Sequence, residues 1–231
     1  MNDKLLNKNR LSIAGFYADF AEGSKACSGA GKFQLIKKIT FIPLLILSLI
    51  LISCHTLPRE QIQLSRKLLD EGKLSATQLA EFFSINNPRI NYDEILEFAR
   101  YYIKEASDEN INSDVAFAQM CLETGFLKFG GLVTKEMHNY CGLGSMDAAH
   151  PGEIFETEQL GVRAHIQHLQ AYATTEDVML NNELIDPRYN WVHKTKLAYT
   201  IEDLAGSWAM DPSYGAKIDA ILMRMEAFIN E

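Results

Sequence analysis

Residues 114–125 read DVAFAQMCLETG, and this stretch decides the fold class. Between Val115 and Leu122 every residue except Gln119 is apolar or small, which is typical of a helix that is buried on most of its sides. Asn112 or Ser113 is suited to cap its start, and Gly125 is suited to end it. Because such a helix has to be covered by other elements, the stretch predicts the centre of a folded domain.

Glu123 closes this apolar helix, two residues before Gly125, where the chain must change direction. Apolar surroundings disfavour a charged carboxylate and raise its pKa, which is what a general acid needs near neutral pH. The alternative is an ordinary glutamate that faces water at the end of a helix, where negative charge is disfavoured. The pattern alone leaves both interpretations open.

Outward from this helix toward the C-terminus, the composition becomes rich in glycine. FLKFGG at 126–131 and NYCGLG at 139–144 predict a short strand or hairpin that returns through residues 146–155. Helical periodicity resumes over 158–173, where His165 and His168 lie three positions apart and could share a metal. Since no third ligand accompanies them, we expect packed or solvated imidazoles and no bound metal.

Outward toward the N-terminus, the chain predicts further helices. Ser75 with Gln78 is a capping-box pattern, and Asn91 with Glu94 repeats it for a helix that runs to about residue 106. Residues 59–71 are charged and amphipathic and predict a helix that ends at Gly72. That helix either spaces the domain from a membrane or packs on the domain.

The charge of the chain is unevenly distributed over its 231 residues. Residues 1–53 contain seven Lys or Arg and three Asp or Glu, whereas residues 54–231 contain 15 and 27. With 47% hydrophobic and 23% charged residues, the chain is typical of a globular protein. Because phosphate binding needs a basic surface, the acidic part excludes nucleic acid as a partner.

An apolar run over 41–52 follows Lys37 and Lys38 and ends as LISC at 51–54. It is short for a bilayer span of about 20 residues but suits the apolar part of an export signal. The ending resembles the lipobox of bacterial lipoproteins, in which the signal is cut before a cysteine that is then lipidated. The alternative is a membrane anchor or a buried helix. Residues 1–35 are either a misassigned start or a leader.

These observations predict three parts of the chain. Residues 1–53 form a leader and lipoprotein signal, residues 54–74 the anchor Cys54 with a tether and spacer helix, and residues 75–231 the globular domain. We expect this domain in the cell envelope, tethered to a bacterial membrane through Cys54 and facing the periplasm or the exterior. In that compartment Cys121 and Cys141 form either a disulfide or two buried thiols.

Several motifs occur in a defined order along the chain. They are FAQ at 117–119, ETGF at 123–126, FGG at 129–131, NYCGLG at 139–144, GVRAHIQHL at 161–169, DPRY at 186–189 and LAGSWA at 204–209. Together they resemble the glucosaminidase family of bacterial cell-wall hydrolases, glycoside hydrolase family 73, over residues 75–229. The resemblance implies a mainly α (α+β), lysozyme-like domain with a small β-hairpin beside an active-site groove.

The same resemblance implies hydrolysis of the β-1,4 bond after N-acetylglucosamine in peptidoglycan, with Glu123 as the general acid. Relatives carry a second carboxylate in or after the hairpin. Here Glu156 is the first candidate and Glu153 the second, while Asp147 and Glu158 also compete; each is equally compatible with a solvated loop charge. If none is close enough, the acetamido oxygen of the substrate can act as the nucleophile.

Aromatic and polar side chains are expected to bind the sugar. Relatives carry a tyrosine in a YATDP string, where this chain has Trp208 in the string WAMDPSY at 208–214. If the missing hydroxyl is needed, Tyr214 or Tyr140 must supply it; Trp208 could instead pack between helices over 201–209 and 214–229. Asp211 and Asn139 are further candidates for binding the substrate, with a turn-forming role as the alternative for Asn139.

Three functions follow for comparison. The favoured one is a lipid-anchored endo-β-N-acetylglucosaminidase that acts on peptidoglycan as a monomer and needs no cofactor. The second is a lytic transglycosylase of the same fold, in which a single glutamate is both acid and base and the product is an anhydro-sugar. The third is a lipoprotein that binds glycan without turnover.

Overall fold

The computed structural model describes residues 61–231, whose regular secondary structure is almost entirely helical. The apolar run at 41–52 and the predicted lipidation site Cys54 lie outside the described residues. The helices are α1 (Ala76–Asn86), α2 (Tyr92–Asp108), α3 (Ser113–Thr124), α4 (Glu158–Ala173), α5 (Tyr189–Thr195) and α6 (Tyr214–Asn230), with 3-10 helices at Lys135–Met137 and Glu202–Leu204. This confirms the mainly α class and is consistent with a lysozyme-like arrangement.

Helix α3 lies at the centre of the domain and packs against α2, α4 and α6. Ten of its twelve residues are buried, as the apolar pattern predicts. Asn112 caps its start by accepting hydrogen bonds from the backbone N–H groups of Asp114 and Val115. Asp114 then fixes the preceding chain by accepting from the backbone N–H groups of Lys73 at 2.7 Å and Leu74 at 3.2 Å. The central helix therefore organises both its own capping and the entry of the chain.

The surrounding helices begin where their capping residues predict. Ser75 and Gln78 form the complete capping box at the start of α1, and Asn91 caps α2 through the backbone N–H of Asp93. Helices α2 and α4 are joined by an ion pair between Glu105, which is fully buried, and Arg163 at 2.9 Å. Gln159 donates a further hydrogen bond to Glu105 at 2.7 Å, so the buried carboxylate has the partners that its charge requires.

The prediction of a spacer helix before residue 75 is wrong for residues 61–74, the part of that segment that the structure describes. Residues 61–71 are extended, and their backbone pairs with distant parts of the chain: Leu68 N–H donates to Tyr199 at 2.9 Å and Ile201 N–H to Arg66 at 3.0 Å. Leu64 and Leu68 are buried, and Arg66 forms an ion pair with Asp219 of α6 at 2.7 Å. The four-residue spacing of Leu64 and Leu68 is compatible with one face of a helix. Backbone pairing with distant segments instead stabilises an extended conformation.

The predicted hairpin region, residues 139–155, is a loop with isolated pairing rather than two regular strands. It contains one antiparallel bridge, between Asp147 and His150, and a hydrogen bond from Glu153 N–H to Leu143 at 2.9 Å. Gly142 and Gly144 adopt φ values of 68° and 73°, which a regular strand does not contain.

The helix expected over 201–209 is also shorter than predicted. It consists of the 3-10 helix Glu202–Leu204 and a turn closed by a hydrogen bond from Gly206 N–H to Ala209 at 2.7 Å. This turn carries Trp208 to the side of α3 and α4. Within residues 61–231, no helix is both long enough and apolar enough to cross a membrane.

Candidate active site

Glu123 lies in the last turn of α3, and the backbone beyond it is sharply bent. Gly125 ends the helix in the left-handed conformation, with φ of 58°. Phe126 and Leu127 also have positive φ, which is costly for residues with side chains. Their conformation is held by hydrogen bonds: Leu127 N–H donates to the Thr124 hydroxyl at 2.8 Å, and the Phe126 carbonyl accepts from the Asn87 amide at 2.8 Å.

An open groove of about 470 Å³ begins at Glu123. One side is formed by the loop over 129–133, and the other by residues 139–145 together with Trp208 and Ala209. The groove is open to solvent along its length, which suits a polymer better than a small enclosed ligand. Glu123 is the only carboxylate among its lining residues in the part of the chain that the structure describes.

Two donors hold the carboxylate of Glu123, and both bind the same oxygen. The Tyr214 hydroxyl donates a short hydrogen bond to Oε1, and Trp208 Nε1 donates to Oε1 at 3.3 Å. Within residues 61–231, Oε2 has no hydrogen-bond partner. Glu123 is an exposed residue at the groove, but the surrounding protein atoms exclude much of the water from its carboxyl group. This burial raises the pKa of Glu123, while the hydrogen bonds from Tyr214 and Trp208 oppose the increase.

Behind Tyr214, a chain of buried hydrogen bonds runs through the centre of the domain. Gln119 Nε2 donates to the Tyr214 hydroxyl at 2.8 Å, so Gln119 Oε1 is left to accept from His165 Nε2 at 3.0 Å. His165 Nδ1 must then accept from the Tyr102 hydroxyl at 2.9 Å. Every donor in this sequence points toward Glu123.

The protonation state of His165 fits this chain. Burial lowers the pKa of His165 to about 3, and the nearby His168 contributes in the same direction. A neutral imidazole is both donor and acceptor, as its two hydrogen bonds require. Burial likewise raises the pKa of Tyr214, with Glu123 beside it, so that its hydroxyl keeps the proton that it donates.

Trp208 lies against the aromatic rings of α4. Its ring centroid is 4.9 Å from that of His168, 5.2 Å from Tyr172 and 6.0 Å from His165. His168 is in turn held by Asp186, a buried residue whose carboxylate lies 2.8 Å from His168 Nδ1. Trp208 therefore packs on the rings of α4, rather than between helices over 201–209 and 214–229, and its indole N–H also contacts Glu123.

Among the predicted tyrosines, the structure brings Tyr214 rather than Tyr140 to Glu123. The ring of Tyr140 is buried against Phe98, at a centroid distance of 4.7 Å, and does not line the groove. The hydroxyl that the sequence string lacks at position 208 is thus present at the same carboxylate, supplied from the first residue of α6.

The other predicted substrate-binding residues have structural partners. Asn139 lines the groove, but its side-chain amide spans the loop: Nδ2 donates to Leu143 at 2.9 Å and to Glu153 at 3.1 Å, and Oδ1 accepts from Leu143 at 2.9 Å. Asp211 bonds Lys217 at 2.6 Å and the backbone of Ser213, which orders the turn before α6. Both arrangements agree with turn-forming roles.

The candidate second carboxylates do not line the groove with Glu123. Glu153 is half-buried with its side chain near Gly144, and Glu156 is exposed. Asp147 is exposed and bonds His150 at 3.0 Å. Glu158 borders a separate small cavity beside Tyr140.

The hydrogen-bond chain contains residues whose roles the sequence analysis missed. Gln119 was visible as the one polar residue on an apolar helix, which is a signal for a buried hydrogen bond. His165 and His168 were considered as metal ligands; each instead makes the hydrogen bonds described above, and no cluster of three ligand-type side chains occurs in residues 61–231. Cys121 and Cys141 are both buried, free thiols.

Comparisons with known proteins show the family of the chain. The glucosaminidase family model, described as mannosyl-glycoprotein endo-beta-N-acetylglucosaminidase, matches residues 99–227. An uncharacterized protein of Borreliella burgdorferi is 39% identical over 163 residues, which cover 71% of this chain and 78% of that protein. No solved structure matches the chain significantly.

Proposed function

The chain belongs to the glucosaminidase family, and on that premise we propose that it hydrolyses the β-1,4 bond after N-acetylglucosamine in peptidoglycan, with Glu123 as the general acid. The observation that carries the proposal is the setting of Glu123: a carboxyl with a raised pKa, at an open groove, fixed through one oxygen. Membership of the family already supports the more general statement that the protein is a glycosidase.

The free oxygen of Glu123 defines the first chemical step. With Oε1 accepting from Tyr214 and Trp208, the acid proton resides on Oε2, which has no partner among the described residues. Oε2 protonates the glycosidic oxygen as the bond from that oxygen to the anomeric carbon breaks. The hydrogen bonds to Oε1 stabilise the carboxylate that this step leaves.

The second step needs a nucleophile at the anomeric carbon. Because Glu123 is the one carboxylate that lines the groove in the described residues, we propose that the acetamido oxygen of the substrate bonds to this carbon. Water then attacks the cyclic intermediate and gives its proton to Glu123, which restores the acid. This route needs only one protein carboxylate.

We also propose that the enzyme is a lipoprotein anchored through Cys54. The support is the sequence LISC at 51–54 after a short apolar run and two lysines. Expression of the full chain with a radiolabelled fatty acid should label the protein, and the Cys54→Ser variant should lose the label. Unlabelled wild-type protein would overturn the anchor without affecting the hydrolase.

The reaction is tested by the ends of its products. The full chain, purified in detergent, and its Glu123→Gln variant are incubated with peptidoglycan, and the fragments are reduced and analysed by mass spectrometry. We expect fragments that end in reduced N-acetylglucosamine from the wild type and none from the variant. A high-mannose glycoprotein serves as a second substrate, since the family description names that class.

Other products would change the assignment. Fragments with anhydro-sugar ends would show that the protein is a lytic transglycosylase and not a hydrolase. Cleavage of the glycoprotein but not of peptidoglycan would show that the substrate is a glycoprotein. Binding of the wall without any fragments would show that the protein is a glycan-binding module.

A further inference from the structure

A second cavity, of about 230 Å³, continues the groove on the other side of Trp208. The two cavities share Trp208 and, on the facing loop, Cys141, Gly142 and Ser145. The two cavities therefore adjoin at these residues, so that one extended ligand has room to contact both.

The far side of this cavity carries two cations on either side of α5. Arg188 precedes the helix and Lys196 follows it, and both lie over the ring of Trp191, at 5.6 Å and 5.8 Å from its centroid. Trp191 is 53% exposed. Within residues 61–231 neither Arg188 nor Lys196 forms an ion pair.

This cationic region contrasts with the rest of the domain. Residues 187–201 contain three Lys or Arg and no Asp or Glu, although residues 54–231 as a whole are strongly acidic. No carboxylate lines the cavity in the described residues. Asp186, the neighbouring acid, is buried and bonded to His168. Asp186 also accepts from the backbone N–H of Arg188 at 2.8 Å, but within residues 61–231 the guanidinium of Arg188 and the ammonium of Lys196 form no ion pair.

Two unpaired cations and an exposed aromatic ring match a particular ligand chemistry. A neutral sugar would need the ring and hydroxyl partners, but not the charges. We propose that Arg188 and Lys196 bind a carboxylate carried on the glycan strand, with Trp191 packing on the adjoining sugar or acyl group. This inference rests on the proposed function. In peptidoglycan the carboxylate is either the lactyl group of a peptide-free strand or a carboxylate of the stem peptide.

The test compares one glycan with and without its carboxylates. Peptide-free strands and peptide-bearing strands are each prepared in the native form and in a form with every carboxylate converted to its methylamide. The enzymes are the full chain in detergent, Arg188→Gln, Lys196→Gln and the double variant. Lys194→Gln is the matched control, because it removes a charge from the same helix without touching the cavity.

For the double variant we expect kcat/KM to fall about tenfold on the native strand that carries the recognised carboxylate and to stay unchanged on its methylamide. The wild type should lose a similar factor when the strand is methylamidated, and Lys194→Gln should behave as the wild type. A loss on native peptide-free strands identifies the lactyl group, and a loss confined to peptide-bearing strands identifies the peptide. Equal losses on native and methylamidated strands, or no loss, would overturn the proposal.

A binding measurement separates this inference from the hydrolase itself. Fluorescence titration of the full chain with a native strand fragment should change the tryptophan emission, to which Trp191 and Trp208 both contribute, and the change should be smaller in the Trp191→Phe variant, which keeps Trp208. If the wild type binds the native fragment at least about fivefold more tightly than its methylamide but cleaves nothing, the carboxylate site stands and the proposed reaction fails. Equal affinity for the native fragment and its methylamide would show that Arg188 and Lys196 do not bind a carboxylate, even if the enzyme is active.

Discussion

The two walls of the groove are built in different ways. Behind Glu123, the chain through Tyr214, Gln119 and His165 is buried, and each polar atom described in it has a partner. Glu153 and Glu156 lie instead on the loop that the Asn139 side chain and a few backbone hydrogen bonds hold, and neither of them lines the groove. The carboxyl of Glu123, the proposed acid, is therefore positioned by buried hydrogen bonds, whereas no second carboxylate is positioned in the groove in this way.

The largest expected effect is that of removing the acid proton. Glu123→Gln keeps the shape of the side chain and loses the ability to protonate the glycosidic oxygen. We expect kcat/KM on peptidoglycan to fall by about a thousandfold, within the range of general acid catalysis. Thermal unfolding should be little changed, since the residue borders solvent. A variant that retains more than about a tenth of the activity would show that Glu123 is not the acid.

The second largest expected effect is a loss of folding stability at acid pH, caused by the buried His165. Because the folded-state pKa of His165 is about 3 and an unfolded histidine titrates near 6.5, the neutral imidazole stabilises the fold above pH 6.5, and this contribution is lost as the pH falls toward 3. Between pH 7.5 and 4.5, the wild type should lose about 2–3 kcal/mol more unfolding free energy than His165→Gln, as measured by urea denaturation. Parallel losses in the two proteins would contradict this role of His165.

A smaller effect is expected from the hydroxyl of Tyr214. Its hydrogen bond lowers the pKa of Glu123, so Tyr214→Phe should raise that pKa further and move the basic limb of the pH–rate profile to higher pH. We expect kcat/KM at neutral pH to fall about tenfold, because the carboxyl loses its closest positioning partner. Tyr199→Phe, on an exposed tyrosine, is the control. A shift of the basic limb to lower pH would show that the hydrogen bond does not act on the charged form.

The smallest effects are expected on the loop. Glu153→Gln and Glu156→Gln should each change kcat/KM by less than about threefold, since surface substitutions away from a site have small effects. Rate measurements on the same peptidoglycan check both variants. A loss of a hundredfold or more in either one would mean that the loop closes over the substrate and delivers a second carboxylate, which would remove the need for the acetamido oxygen.

The sequence by itself determined the helices around the site and the position of Glu123, the proposed acid. The buried character of α3, the capping box at Ser75 and the place of Glu123 before Gly125 depend on residues within about four positions of one another, so periodicity and capping patterns report them. The order of the sequence motifs also indicated the family. Gln119 was also visible as an exception to the apolar pattern.

Only the tertiary structure decided which side chains meet at Glu123. The Tyr214 hydroxyl comes from 91 positions away and Trp208 from 85, the segment over 61–71 pairs with residues 199–201, and Glu153 does not line the groove. No local pattern encodes these contacts, because they follow from how α3, α4 and α6 pack together. The reach of a side chain is a few ångströms, so the packing of the helices determines which of several chemically suitable residues becomes part of the site.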